Sequence, residues 1–228
     1  TNNPINKGFF SFGRMGMDYF VNNRNTFTIG GSIVRGQFKT NDFLTSTNDT
    51  TYGLNKVAET ATRSSNSIGN FRNYGSTLSY KHIYPKAGKE LTADMNFNYS
   101  KNDNESDNSQ QQFFANNSPK GLNLFQNQTG GGTTKFLTVQ TDYTNPITEK
   151  MKIEMGVRGA FRDFSSFNTI TNIYKDYSGQ TFFGNQIPTN YKFNDAVYAA
   201  YTTFSQQLKN FTYQLGLRLE SSEYNGNL

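Results

Sequence analysis

The 228-residue sequence has no cysteine, no tryptophan and a single histidine. Without cysteine, disulfides, thiolate metal sites and cysteine nucleophiles are excluded. Any histidine-based triad would have to use His82, and one His with no Cys makes a poor zinc site. Long apolar runs are also missing. No segment approaches the roughly eighteen apolar residues of a membrane helix. That excludes helical spans but not strand spans, because barrel strands carry apolar residues only at alternate positions. Hydrophobic residues make up 34% and mean hydropathy is −0.73, which is little for a globular core. The five prolines (4, 85, 119, 146 and 188) are all expected in connections or at the N-terminus, where a missing N–H costs no ladder bond. The opening "TNNPINKG" has neither a basic start nor an apolar run, so it reads as a mature product or an excerpt of a longer chain.

Aromatics, by contrast, reach 15%, with 21 Phe and 14 Tyr, which is not a disordered composition. The net charge is +5 with a pI near 9.2, but Lys and Arg are scattered singly. No basic helix or cluster stands out, so nucleic acid is not an expected partner.

Alternation of apolar and polar residues is the main signal. It predicts eight strands, near 8–21, 26–39, 69–84, 90–101, 132–144, 151–165, 190–207 and 211–224. In "LTADMNFNYS", Leu91, Ala93, Met95, Phe97 and Tyr99 oppose Thr92, Asp94, Asn96, Asn98 and Ser100. In "FTYQLGLRLE", Phe211, Tyr213, Leu215, Leu217 and Leu219 oppose a face with Gln214, Arg218 and Glu220. Short turns are expected at 22–25, 85–89, 145–150 and 209–210. Long polar stretches, expected as loops, fall at 40–66, 102–131 and 166–189. Three structureless loops of that length are improbable in a compact soluble domain. Outer-membrane barrels combine antiparallel alternating strands, short periplasmic turns and long extracellular loops. The expected fold is therefore all-β: an antiparallel transmembrane β-barrel segment of about eight meander strands, residues 1–228 forming one section. Aromatics near strand ends (Tyr19, Phe20, Tyr80, Tyr84, Tyr143, Phe211 and Tyr213) suit an interfacial girdle.

Four stretches resemble the barrel of TonB-dependent outer-membrane receptors of the Bacteroidota-type outer-membrane β-barrel family. They are "GMDYFVNNRNTFTIGGSI" (16–33), "TDYTNPITEKMKIEMGVRGAFRD" (141–163), "FNDAVYAAYTTFSQQL" (193–208) and "YQLGLRLESSEYNG" (213–226). The resemblance implies a bacterial outer-membrane location and a much larger barrel of about 22 strands. It also implies a plug domain and a TonB-contacting segment, neither visible in this sequence. The implied partners are outer-membrane lipid, the TonB complex through the absent plug region, a surface lipoprotein, and a small-molecule, glycan or peptide substrate.

No catalytic set stands out, so neither enzymatic activity nor a cofactor is expected. Lumen-facing contacts to substrate or plug are expected from Asp94, Glu154, Arg158, Arg162, Arg218 and Glu220. Charges on the lipid face would be costly, which constrains their phase. Phe113, Phe114, Tyr174, Tyr177, Phe182 and Phe183 are loop candidates for ligand contact, alongside Phe43, Tyr52 and Phe125. Other motifs read as ordinary structure. "DNESDN" (103–108) sets Asp103, Glu105 and Asp107 at alternate positions but lacks the glycine of a calcium loop. "NQTGGGTTK" (127–135) lacks phosphate-loop spacing and reads as a flexible loop entering a strand. "NDTT" (48–51) is similar to an Asp-Ser/Thr O-glycan acceptor pattern. The expected function is nutrient uptake. Alternatives are a self-contained eight-stranded structural or adhesive barrel, and a soluble β-sandwich that binds carbohydrate.

Overall fold

The computed structural model describes residues 4–52, 55–184 and 186–227, with residues 50–52 and 55–57 described by their backbone alone. Eight long strands follow one another as an antiparallel meander: β1 (Ile5–Asn22), β2 (Asn25–Tyr52), β3 (Asn55–Ile83), β4 (Glu90–Phe113), β5 (Pro119–Thr148), β6 (Met151–Lys175), β8 (Ile187–Leu208) and β9 (Phe211–Asn227). A three-residue strand, β7 (Thr181–Phe183), pairs with the end of β6. The sheet order is β1-β2-β3-β4-β5-β6-β8-β9, and β1 does not pair with β9.

Each predicted strand is present, and each pair stays in one register for most of its length. The three polar stretches expected as loops are mostly strand among the described residues. β2 and β3 remain paired out to Tyr52 and Asn55, and β4 and β5 out to Phe113 and Pro119. Side-chain amides and hydroxyls replace apolar contacts there. Ser67 and Ser106 hydroxyls meet at 2.8 Å, Asn127 donates to Asp107 at 2.8 Å, and Gln128 donates to Asn168 at 3.0 Å. Such cross-strand polar pairs stabilise a sheet with no buried face. The longest connection joins β6 to β8 and carries the short strand Thr181–Phe183.

Three prolines lie in strands rather than connections, each where a missing N–H is tolerated. Pro119 is the first residue of β5, Pro188 the second of β8, and Pro146 adjoins a register shift. The turn expected over 145–150 is confined to Glu149–Lys150, with β5 and β6 paired out to Thr148 and Met151. Lys209, in the turn before β9, adopts φ 27°.

No second sheet faces the first among the described residues, which removes the sandwich alternative. The surface tells the same story. The chain exposes 15767 Å², against about 10,500 Å² for a compact soluble protein of its mass. Ala199, 7% exposed, is the one buried hydrophobic residue among those described.

Candidate functional site

Register converts alternation into two faces. Leu219 pairs with Ala200, which pairs with Val157, and the row continues through Thr141, Ala93, Tyr80, Phe27 and Tyr19. Directly paired residues share a face. This face is apolar across all eight long strands. Leu217, Leu219 and Met15 are 76%, 78% and 79% exposed on it. The opposite face holds a recess of about 840 Å³ reached by β1 through β6, lined by Arg14, Asp18, Ser32, Asn98, Thr138 and Arg158 among others. That recess is shared by six successive strands, and Gly36, Gly130, Gly132 and Ala199 are buried on the same polar face, as suits the concave side of a curved sheet.

The apolar band is bounded and slanted. Its upper margin is Ile33, Tyr74 and Tyr99, mutual partners on β2, β3 and β4. On β9 the margin is Leu219, whose row meets β2 at Phe27, six residues below Ile33. A fall of six residues over six strand steps is one residue per strand. With about 3.3 Å per residue and 4.8 Å between strands, the strands tilt about 35° from the normal to the band. The lower margin falls in the same sense, from Phe27 through Tyr143 to Tyr213. On β4 the band runs from Leu91 to Tyr99, about 26 Å along the strand and about 22 Å in height at that tilt. Tilt and height match the lipid-facing band of transmembrane barrels, about 25 Å tall with strands at 35–45°.

Aromatic pairs line both margins. Below, Phe27 and Tyr80 have centroids 4.8 Å apart, and Tyr84 meets Tyr143 edge-on at 6.1 Å. Above, Tyr74 meets Tyr99 at 6.2 Å and Phe161 meets Tyr198 at 5.6 Å. Phe20, assigned to the girdle from sequence, pairs with Thr26 and falls on the concave face, next to a register shift. His82 is a lower-margin residue, its ring nitrogen 2.7 Å from the Asn25 side-chain oxygen.

All six predicted lumen residues lie on the concave polar face. Asp94, Arg158 and Glu220 share one row, through Gln140 and Ala199. Ser79 donates to Asp94 at 2.5 Å. Arg162 donates to Asp195 across the strands at 2.6 Å, with its guanidinium 5.3 Å from the Phe193 ring centre. Arg218 pairs with Glu220 along its own strand at 2.7 Å, and Glu154 pairs with Lys152 at 2.8 Å. Arg158 extends into the recess.

Two features of this wall escaped the sequence reading. Asp142, Gly156, Tyr201 and Arg218 form one row, and the Tyr201 hydroxyl donates to Asp142 across Gly156. A Cβ at Gly156 would lie on the Tyr201 phenol and 2.6 Å from the Asp142 carboxylate, so only glycine lets the tyrosine lie flat there. The second feature is an aromatic series on the concave face above the band. Phe164 meets Tyr191 at 6.1 Å, Tyr191 stacks on Phe193 at 6.3 Å, and Phe193 stacks on Tyr224 at 6.3 Å. The signal was present in the alternation Tyr191, Phe193, Asp195, but partners on β6 and β9 lie far along the chain.

The loop candidates occupy mixed positions. Phe113 ends β4, Tyr174 lies within β6, and Phe182 and Phe183 form β7, so these four are strand residues. Phe114 and Tyr177 sit in turns. Phe113 and Tyr177 come together with Phe43 and Phe125 around a recess of about 440 Å³. There the Tyr177 hydroxyl meets the Gln111 amide. The side chains of Tyr52, and of Thr50 and Thr51 in "NDTT", lie outside what is described.

Asp103, Glu105 and Asp107 are strand residues along one face of β4, about 13 Å from end to end, so the three do not converge on one cation. Gly130, Gly131 and Gly132 are buried within β5 rather than in a flexible loop. A Cβ at Gly131 would sit 2.7 Å from the Asn102 carbonyl. In the 176–180 turn, Ser178 donates to the Asp176 carboxylate at 2.7 Å, which holds its pKa below the usual 3.8.

No curated protein matches the sequence. Among solved structures, similarity is to BauA, the ferric preacinetobactin receptor of Acinetobacter baumannii. Identity is 10% over all of this chain and 41% of that one, with a TM-score of 0.43. The RagAB peptide importer in its open-open state gives 10% identity over 93% of this chain and 31% of that one, at TM-score 0.42. The siderophore receptor PiuA of Acinetobacter baumannii gives 10% over 98% and 42%, at 0.40. The chain thus spans 41% of BauA, 31% of the RagAB chain and 42% of PiuA. The family description "Outer membrane protein beta-barrel family" matches residues 82–228, and with its convex apolar band and concave polar wall the chain belongs to that family and to the outer membrane.

Proposed function

We propose that this chain is a section of the barrel of a TonB-dependent uptake receptor. The observation that carries the reading is the width of the lumen wall. An eight-stranded barrel fills its interior with side chains. Here the concave face holds Gly16, Gly30 and Gly75 on adjacent strands beside an open recess of about 840 Å³, and β1 and β9 stay apart. Unpaired strand edges are not tolerated in lipid, so further strands would complete the ring. The strand and turn motifs at 16–33, 141–163, 193–208 and 213–226, which resemble those of such receptors, support the same reading. Substrate would meet the Tyr191, Phe193 and Tyr224 series and the Arg162 guanidinium, then pass along the polar wall. No bond chemistry on the substrate is needed. The TonB complex would act through a plug domain, and a surface lipoprotein could cover the mouth.

The test is the intact mass of the mature polypeptide extracted from outer membranes. A mass several times 25.8 kDa, together with uptake that collapses when the energising complex is deleted, supports the reading. A mass near 25.8 kDa would overturn it in favour of a small structural barrel.

A further inference from the structure

Immediately above the apolar band, the convex face changes from aromatic to cationic. The first outward position beyond Ile33, Tyr74 and Tyr99 is Arg35 on β2, Arg72 on β3 and Lys101 on β4. Arg35 is the direct partner of Arg72, and Arg72 of Lys101. Three cations therefore stand side by side in one row. Four residues higher on β2, Lys39 directly opposes Lys7 of β1, and Lys135 of β5 is the partner of Tyr99. Like charges directly opposite one another destabilise a sheet. Compensation within the protein lies toward one end of this patch. Lys101 leans toward Asp103 at 3.6 Å, Glu105 and Asp107 lie higher on the same face of β4, and Lys135 directly opposes Asp163 of β6. Among the described residues, no carboxylate is within ion-pair distance of Arg35 or Arg72, and both are exposed.

A row that is unfavourable alone and lies against the edge of a lipid band calls for an anion supplied at that depth. We infer that Arg35, Arg72 and Lys101 bind the phosphate groups of a phosphorylated glycolipid in the outer leaflet. Guanidinium groups take phosphate oxygens two at a time, which a neighbouring pair of arginines can do for one phosphate. Ile33 and the tilted Tyr74–Tyr99 pair below them offer an apolar seat for the acyl chains of the same molecule. A soluble anion would use the phosphate contacts but not that seat. The inference rests on the membrane placement of the two faces and not on uptake, so lipid binding can persist where transport fails.

The test uses the full-length receptor in detergent, probed by native mass spectrometry with a bis-phosphorylated disaccharide glycolipid, its dephosphorylated form, and inorganic phosphate. The wild type should retain the phosphorylated lipid and release the dephosphorylated one. Removing three interfacial charges in R35Q/R72Q/K101Q should weaken retention about fivefold per charge, roughly a hundredfold together. K209Q, at the opposite margin, should change nothing. R35K/R72K keeps the charge and should fall between, which separates lost binding from lost folding. Equal retention by the wild type and the triple variant would overturn the inference. So would competition by millimolar inorganic phosphate, which would assign the row to a free anion, or an equal loss in K209Q.

Discussion

Placing arginine at Leu217 should cost far more than placing it at Gln214, three residues away. Leu217 projects from the convex face, 76% exposed, with Thr202 and then Met155 as its cross-strand neighbours. It sits between Tyr213 at the lower margin and Leu219 at the upper, so its side chain lies near mid-band. Arginine at the bilayer midplane of a barrel costs about 2–4 kcal/mol, falling to about 0–1 near the interfaces. At about 1.4 kcal/mol per tenfold, Leu217→Arg should lower the folded-to-unfolded ratio roughly thirtyfold to several hundredfold. Gln214 pairs with Ser205 on the polar wall, and Gln214→Arg should cost close to nothing. Tyr213→Arg, at the margin, should be intermediate. The assay is denaturant-titrated folding of the full-length protein into lipid vesicles. Equal costs at Leu217 and Gln214, or a cost at Tyr213 equal to that at Leu217, would refute the assignment of faces and of depth.

Other outcomes follow from the polar wall and the turns. Gly156→Ala must displace Tyr201 and should destabilise folding by about 1–3 kcal/mol, and Tyr201→Ala in the same chain should recover part of that loss in a double-mutant cycle. Breaking the Arg162–Asp195 pair by Arg162→Ala leaves Asp195, 12% exposed, without its cation; reversing both charges should restore more stability than either single reversal, as read by thermal unfolding. In the 176–180 turn, Asp176 has a depressed pKa, so its contribution is full above the usual 3.8 and is lost as pH falls through the lower folded value. Protection of the Ser178 and Gln180 amides, taken relative to the unstructured exchange rate at each pH, should therefore fall on acidification below that range, and Asp176→Asn should remove that change in protection.

Much of this architecture is legible in the sequence because the side-chain period of a strand is local. The alternation in 91–99 and 211–220 fixes which residues share a face before any partner is known. All six charged residues assigned to the lumen fall on the concave face for that reason. Polar stretches such as 102–112 were hidden because strand and loop look alike when both faces are wetted. Asn, Ser, Thr and Gln are common in turns, and here they form ladders such as Ser67–Ser106 instead. Contacts between distant strands were also hidden. Tyr201 meets Asp142 only because β5, β6 and β8 share a register. The slant of the apolar band needs every pairing at once, so the tilt of about 35° is visible only in the assembled sheet.

The central claim is that one face meets lipid and the other meets water. A direct measurement uses single cysteines placed at 214 through 219 of β9 in the membrane-inserted protein, to which these 228 residues contribute no other thiol. Each would be reacted with a charged, membrane-impermeant thiol reagent. The account predicts fast labelling at 214, 216 and 218 and protection at 215, 217 and 219. Uniform labelling along the strand, or protection at the even positions, would contradict it.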